Sequence, residues 1–508
     1  MDINVKTKSI SINKIIFENS FDQPLDCDLT MPDYCPDMKK ILKCSVTPKI
    51  VSSRCVSDRL SVDADAQIRI IYLSEDNKLF CYEKTVDFSK NIELNEQIDN
   101  PCVEVNLQTS YVNTRAVSAR RIDIYSCISV GAVISCKREE SVVFDVENEK
   151  FEFMKDCDNV CSFVGQSVKN FNLNETIEIG ETKSPIEQIV RVTSNVYNIE
   201  TKAVSNKALL TGDLRVNILY LSSREENNLE IFEHTMPVSQ LIDLEGISDK
   251  TMNYCQAFTN GVNVIAKENT NKEKKLLEID ASATAIIKAY VKIDDVFSSD
   301  CYSTKYDLKL SKKNVNIENV LEQINNSFTV KKNEKIAGIK ISQIFDIWCE
   351  NIKYTSSVKH GELNVNGTAN ICILGNDDSK IPFYIERPIE FDNLQKLNEV
   401  YDDCECSAFL KNVSVSYILS AEDSIEIRLE MEQKSFIKKL VKKELIESIE
   451  FDENNKKQRK SSFNIYFNDE NDSLWDIAKK FNTTVSEIEK ENDFLKKKNR
   501  QMIFIPVN

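Results

Sequence analysis

The feature that most restricts the fold is a unit of alternating strands that this chain writes three times, with a spacing of about 150 residues that makes each copy a domain in its own right. The first copy reads Cys-Val-Ser-Asp-Arg-Leu-Ser-Val-Asp-Ala-Asp-Ala-Gln-Ile-Arg-Ile-Ile-Tyr-Leu over 55–73, followed by short apolar runs at 79–82 and 85–88. The same order returns at 203–221, 230–233 and 235–238, and again from Ser357 through 383–386 and 388–391. In the central strand of each copy one residue in two is apolar or small: Val62, Ala64, Ala66, Ile68 and Ile70, then Leu210, Gly212, Leu214, Val216 and Ile218, then Val365, Gly367, Ala369, Ile371 and Ile373. Strict period-two patterning describes a strand with one packed face and one wet face. A second alternating run follows later in each copy, around Ile122 and Ile124, Leu277 and Ile279, and Ile425, Ile427 and Leu429. Many strands with few helices predict a mainly β chain: three tandem antiparallel β-sandwich or barrel-like domains over 1–150, 165–295 and 320–445. Only 10 glycines occur in 508 residues, so turns must lean on Asn and Asp, which tolerate left-handed backbone best among the other residues.

A different grammar closes the chain. Phe463, Ile465 and Phe467 alternate with polar neighbours, as in a strand with those three on the buried side. Asp472 is placed to cap a helix whose Leu474, Ile477, Ala478 and Phe481 form one apolar stripe. Thr484 and Glu487 make a capping box for a second helix, which offers Val485 and Ile488 to the same core. A last strand, Met502 to Ile505, ends at Pro506. The expectation is a linker over 446–461, where 452–462 has no apolar anchor, and a small β-α-α-β domain over 462–508.

The residues of this tail resemble the LysM module. The resemblance implies binding of N-acetylglucosamine polymers such as peptidoglycan through the loop before the first helix and the loop before the last strand. Two departures bear on that: Asn471 stands where the family usually has glycine, and Arg500-Gln501 where it usually has Gly-Gln. Glycine lets a backbone approach a ligand, whereas Arg500 adds bulk and charge, which favours protein docking over sugar binding. The predicted contact residues are Asn471, Asp472, Ser473, Asp476, Lys479 and Lys480, with Arg500 and Gln501 across the groove.

Ahead of the first copy, Met-Pro-Asp-Tyr-Cys-Pro-Asp-Met-Lys-Lys-Ile-Leu over 31–42 resembles the opening signature of the SPOCS domain of sporulation proteins, with worn counterparts at 184–189 and 341–345. SPOCS repeats followed by a LysM module resemble a family of spore morphogenesis proteins. That resemblance implies a scaffold in the mother-cell cytoplasm, on the forespore surface or in the spore coat. Its tail would dock onto a coat morphogenetic ATPase of the stage IV sporulation protein A type. The alternative is an anchor on peptidoglycan.

Charge and motifs exclude other classes. With 81 acidic against 65 basic residues the net charge is −16, which opposes nonspecific binding to nucleic acid or to anionic membranes. No run approaches the roughly 18 apolar residues of a membrane span, and the start lacks a signal-peptide core. The 16 cysteines contain no Cys-x-x-Cys pair, the closest being Cys157 with Cys161 and Cys404 with Cys406, and only His234 and His360 could join them, so no metal site is expected. No phosphate-binding glycine loop is present, and no cofactor is expected. His234 aligns with Lys84 and Arg387, and His360 with Ser57 and Ser205, polar slots that argue against catalysis. The acidic pairs Asp402-Asp403 and Asp469-Glu470 fall in predicted loops as solvated charge. Cys372 aligns with Arg69 and Asn217 on the expected wet face, as an exposed thiol. The basic run 435–443 reads as a final strand in preference to an amphipathic helix. The expected protein is a non-enzymatic scaffold.

Overall fold

A computed structural model describes residues 5–147, 150–223, 228–457, 463–467, 472–492 and 502–506 of the chain. The first unit contains β1 (Val5–Thr30), β2 (Met38–Val56), β3 (Arg59–Ser74), β4 (Leu79–Glu93), β5 (Cys102–Ser118) and β6 (Arg121–Val146). The second repeats the order as β7 (Phe151–Glu178), β8 (Ile186–Val204), β9 (Lys207–Ser222), β10 (Leu229–Asp243), β11 (Met252–Glu268) and β12 (Lys274–Ser303). The third does so as β13 (Tyr306–Lys335), β14 (Ile341–Lys359), β15 (Glu362–Asp377), β16 (Pro382–Lys396), β17 (Glu405–Ala421) and β18 (Ser424–Lys456). The tail adds β19 (Phe463–Phe467), α1 (Leu474–Phe481), α2 (Val485–Glu491) and β20 (Met502–Pro506).

Each unit is a sandwich of two three-stranded antiparallel sheets. In the first, β2, β3 and β4 form a meander, and β6 lies between β1 and β5. The second and third units copy this order. The alternating residues of the central strand point between the sheets: Val62, Ala64, Ala66, Ile68 and Ile70 are all buried, as are Leu214, Val216, Ile218, Ala369, Ile371 and Ile373. Gly212 and Gly367 break the apolar row because the backbone of the preceding strand comes too close for a Cβ, at a bulge between Tyr197 and Glu200 in one case and at the regular pair with Tyr354 in the other. A Cβ at 212 would meet the Tyr197 carbonyl oxygen at 3.0 Å, and one at 367 would overlap the Lys353 carbonyl and approach Tyr354 Cα at 2.8 Å. Asn77, Asn100, Asn198, Asn206, Asn351 and Asp403 adopt positive φ, as the scarcity of glycine predicts, but so do Ser57, Ser205, His360, Lys272 and Lys380.

The units are longer than the patterning marked. Strand β12 runs past 295 to Ser303, β13 begins at Tyr306 before 320, and β18 continues through 446–456, the first part of the expected linker. Residues 458–461 of that linker lie outside the described residues. The outer halves of β1 and β6 pair as a two-stranded ribbon beyond the reach of β5, and β7 with β12 and β13 with β18 do the same. These ribbons bury side chains against one another: Ile10 and Val142 of the first unit, Val160 and Phe297 of the second, and Val315, Ile317 and Leu445 of the third share one core. Alternation is present there too, at Ile10 and Ile12 and at Val315 and Ile317, but it does not say that the partner surface is a ribbon of another unit.

A second shared core lies where the three meanders meet. Ile71 and Leu73, Leu219 and Leu221, and Phe345, Trp348, Cys372 and Leu374 pack together there. Cys372 is therefore fully buried and not an exposed thiol, because the expected wet face of β15 is covered by the neighbouring units. Polar locks edge this core. The Arg191 guanidinium forks onto Asp346 and lies 4.3 Å over the Trp348 ring. The Gln188 side chain donates to the Cys81 carbonyl at 2.6 Å and accepts from the Cys81 amide at 3.1 Å. Lys43 donates to Glu350 at 2.8 Å and to Glu386 at 2.7 Å.

Burial opposes the charge of Glu386, but hydrogen bonds from Lys43, Tyr384 and Asn370 outweigh it and bring its carboxyl down to about 2. A depressed carboxylate contributes stability that is complete above its unfolded value of about 4.3 and is lost as pH falls through the folded value. The melting temperature is therefore expected to fall between about pH 4 and about pH 2, and to fall less steeply over that interval in Glu386→Gln. Parallel acid limbs in the two proteins would contradict this assignment.

Candidate protein-docking site

The tail folds as its caps direct, with one substitution of roles. Ser473, not Asp472, caps α1: its backbone is extended at φ −80° and its hydroxyl accepts from the Asp476 amide at 3.1 Å. Asp472 instead accepts a hydrogen bond from the Tyr466 hydroxyl at 2.7 Å, which ties the start of the helix to β19. The capping box of α2 forms as expected, with the Glu487 amide donating to Thr484 Oγ1 at 3.1 Å and the Thr484 amide to the Glu487 carboxylate at 3.3 Å. Ile477, Ala478, Ile488, Ile503 and Ile505 form the buried centre.

The strand face is the reverse of the expected one. Tyr466 turns inward and meets Phe481 edge-on at 5.5 Å between centroids, while Ile465 is 50% and Phe467 69% exposed. Both helices pack on one side of a sheet of only two strands, so whatever the other side carries stays outside. Period two separates the faces of β19 but cannot tell which one the helices take. The register sets Ile465 opposite Phe504 and Phe467 opposite Met502, so the outer face is apolar across both strands. Sequence reasoning missed this surface, although aromatic residues on both faces of so short a strand were a signal.

The opposite side of the module is seated on the body. Tyr302 of β12, 3% exposed, belongs to the core of the tail: its ring meets Trp475 edge-on at 4.9 Å and its hydroxyl donates to the Thr483 carbonyl at 2.8 Å. Asp300 accepts from Trp475 Nε1 at 2.9 Å and from Lys479 Nζ at 2.6 Å. Burial works against the Asp300 charge, and the bonds from Lys479 and Trp475 more than offset it, so its carboxyl titrates below the usual range. Lys457 reaches Asn482 Oδ1 at 2.7 Å and the Ser303 carbonyl at 3.0 Å.

These contacts sort the predicted site residues. Asp472, Ser473 and Asp476 gather at the start of α1, with Ser473 and Asp476 exposed. Lys479 is turned onto the body, and Lys480 lies 4.9 Å over the Tyr466 ring. Asn471, Arg500 and Gln501 lie outside the described residues.

Elsewhere the geometry offers little chemistry. His234 Nε2 lies 3.0 Å from Glu175 with its ring stacked along Phe232, and His360 occupies a turn at φ 51°. A polar cleft of about 1160 Å³ between the first and second units is lined by Cys55, Cys102, Cys136 and Gln166 among others, and neither histidine is among its walls. Burial pushes the Cys102 thiol up to about 12, the reverse of what a nucleophile needs. Glu350, Cys372 and Glu386 have the spacing of a metal-ligand set, but the Lys43 ammonium is already lodged between the two carboxylates. The fifteen cysteines whose side chains are described are free thiols. No helix among the described residues is long and apolar enough to cross a membrane.

Comparison with protein families places names on two parts of this architecture. The family described as SipL, SPOCS domain matches residues 37–115 and 185–265, which span β2 to β5 of the first unit and most of the corresponding strands of the second. The LysM domain family matches residues 470–505. The third unit repeats the same strand order outside the matched segments. No match was found among curated proteins or among solved structures.

Proposed function

For a chain that carries a SipL-type SPOCS domain in two segments and a C-terminal LysM domain, and is thereby related to sporulation, we propose the role of a non-enzymatic scaffold of the spore envelope. In this reading the tail docks onto a coat morphogenetic protein of the stage IV sporulation protein A type in the mother-cell cytoplasm, and tethers coat layers to the forespore. The observation that carries it is the outer face of β19 and β20. Ile465, Phe467 and Met502 present apolar surface to solvent on a module whose other side is fixed to the body. Such a face suits a protein surface, whose burial would remove that area from water.

Binding of the full chain to the purified ATPase tests this. Ile465→Asp with Phe467→Asp is expected to weaken binding by about 100-fold or more, as loss of central apolar anchors does, without lowering the melting temperature. Unchanged affinity in the double variant would remove the assignment. The match to LysM favours a second reading, an anchor on peptidoglycan, with Asp472, Ser473 and Asp476 at the sugar-facing loop. Saturable binding of peptidoglycan fragments that Asp476→Ala abolishes and the apolar double variant leaves intact would select that reading.

A further inference from the structure

The first unit displays a side chain that the fold does not use. Between β1 and β2, the residues that the core requires point inward: Met31, Cys35 and Met38 are all buried. Tyr34 points outward and is 82% exposed, beside Asp33, whose carboxylate is open to water on its outer side and lies 3.7 Å from the Arg120 guanidinium. A single exposed aromatic residue is ordinary. What sets this one apart is the rigidity of its mount.

Arg120 crosses from the β5–β6 turn to hold the loop. Its guanidinium donates to the Pro32 carbonyl at 2.6 Å, the Cys35 carbonyl at 3.1 Å and the Asp37 carboxylate at 2.7 Å. The Tyr72 hydroxyl donates to the Pro36 carbonyl at 3.3 Å, and the Cys35 amide closes a turn onto Pro32 at 2.9 Å. Pro32 and Pro36 restrict the backbone further.

The other two units supply an internal control, because the fold is the same and the display is missing. At the end of the first strand, the Met31 amide bonds the Arg120 carbonyl at 2.7 Å, the Ile179 amide bonds the Lys275 carbonyl at 2.9 Å, and the Ile336 amide bonds the Asp423 carbonyl at 2.7 Å. The three loops are thus equivalent. Yet 180–185 reads Gly-Glu-Thr-Lys-Ser-Pro and 337–340 reads Ala-Gly-Ile-Lys, with no aromatic residue in either. The residues matching Arg120 turn elsewhere, Lys275 towards Glu273 and Asp423 towards Lys335. The sandwich therefore closes without the ring and without the brace.

We infer that the loop 32–37 of the first unit is a preformed docking pin, with Tyr34 entering an apolar pocket on a protein partner and Asp33 pairing with an Arg or Lys on the rim of that pocket. An aromatic residue on a held backbone has only two side-chain torsions left to fix on binding, which is the property of an interface anchor. Asp33 and the net charge of −16 select a basic partner surface over an acidic one. The pin stands on the first unit and does not depend on what the tail binds.

The test places a photoreactive group at the pin. Full-length chain carrying Tyr34→p-benzoylphenylalanine is produced at native level in the cells that make it and irradiated. The same group at Tyr111, another exposed tyrosine of the first unit, serves as control. The expected result is a cross-link to one other polypeptide, at least about tenfold above the control, on a peptide that places Arg or Lys among apolar residues. Asp33→Lys in the same chain is expected to lower that yield by about tenfold, the factor that 1.4 kcal/mol represents. Both side chains are exposed, and Arg120 keeps its bonds to Pro32, Cys35 and Asp37 when its 3.7 Å contact with Asp33 is lost, so circular dichroism and melting of the variants should match the parent. Absence of an adduct, equal yield at 34 and 111, an adduct only between copies of this chain, a partner peptide without basic residues, or a yield that survives Asp33→Lys would each overturn the inference.

Discussion

Arg191→Ala is expected to destabilise the protein by about 3–5 kcal/mol, the range for stripping one partner from a buried ion pair. Arg191 and Asp346 are 11% and 7% exposed at their side chains, and they belong to different units. The guanidinium bonds Asp346 through both Nε and Nη2, reaches Thr193 Oγ1 at 3.2 Å and covers Trp348. Removing it leaves a carboxylate with little access to water and opens a void beside an indole. Arg191→Lys keeps the charge but not the fork, so an intermediate loss is expected. The double change Arg191→Met with Asp346→Leu should recover most of the stability, because it removes the stranded charge and fills the same space. Urea unfolding of the four proteins checks the order. A single alanine variant as stable as the parent would show that the second and third units do not rely on this contact.

Tyr302→Ala is expected to loosen the tail, by about 3–5 kcal/mol on the scale of large aromatic truncations in cores. Tyr302 is contributed by the second unit, yet it packs with Ile477, Ile488, Ile503 and Ile505 and touches Trp475. A module of this size has little stability to spare, so a side chain borrowed from outside weighs heavily. Amide exchange over α1 and α2 should accelerate by on the order of 100-fold or more, while exchange in β3, β9 and β15 stays as in the parent. Tyr302→Phe keeps the ring and loses only the bond to the Thr483 carbonyl, for which about 1–3 kcal/mol is expected. Equal exchange in α1 for parent and alanine variant would mean that the tail folds without its seat. If the expected result holds, binding studies of the tail need the full chain.

The two largest expected effects thus fall on contacts between parts that are far apart in the chain. This explains what patterning could and could not deliver. Val62 through Ile70, with their counterparts in the other copies, mark sandwich cores because the two sheets of one unit lie close in sequence and share a period of two. Thr484 and Glu487 mark a helix start because a capping box is satisfied within four residues. Ser473 displaced Asp472 as the cap of α1 by a single position, a distinction that rests on backbone angles and not on residue type.

By itself the sequence determined a mainly β chain of three equivalent units and a small β-α-α-β tail, because those features arise from local hydrogen bonding and local alternation. Only the tertiary structure decided which face of β19 is covered, that Cys372 is enclosed by neighbouring units, and that Lys479 is spent on Asp300. It also decided that the long strands continue to Ser303 and Lys456 as ribbons with a common core. Each of these depends on which distant surface removes a side chain from water, and alternation along a strand separates its two faces without saying what covers either.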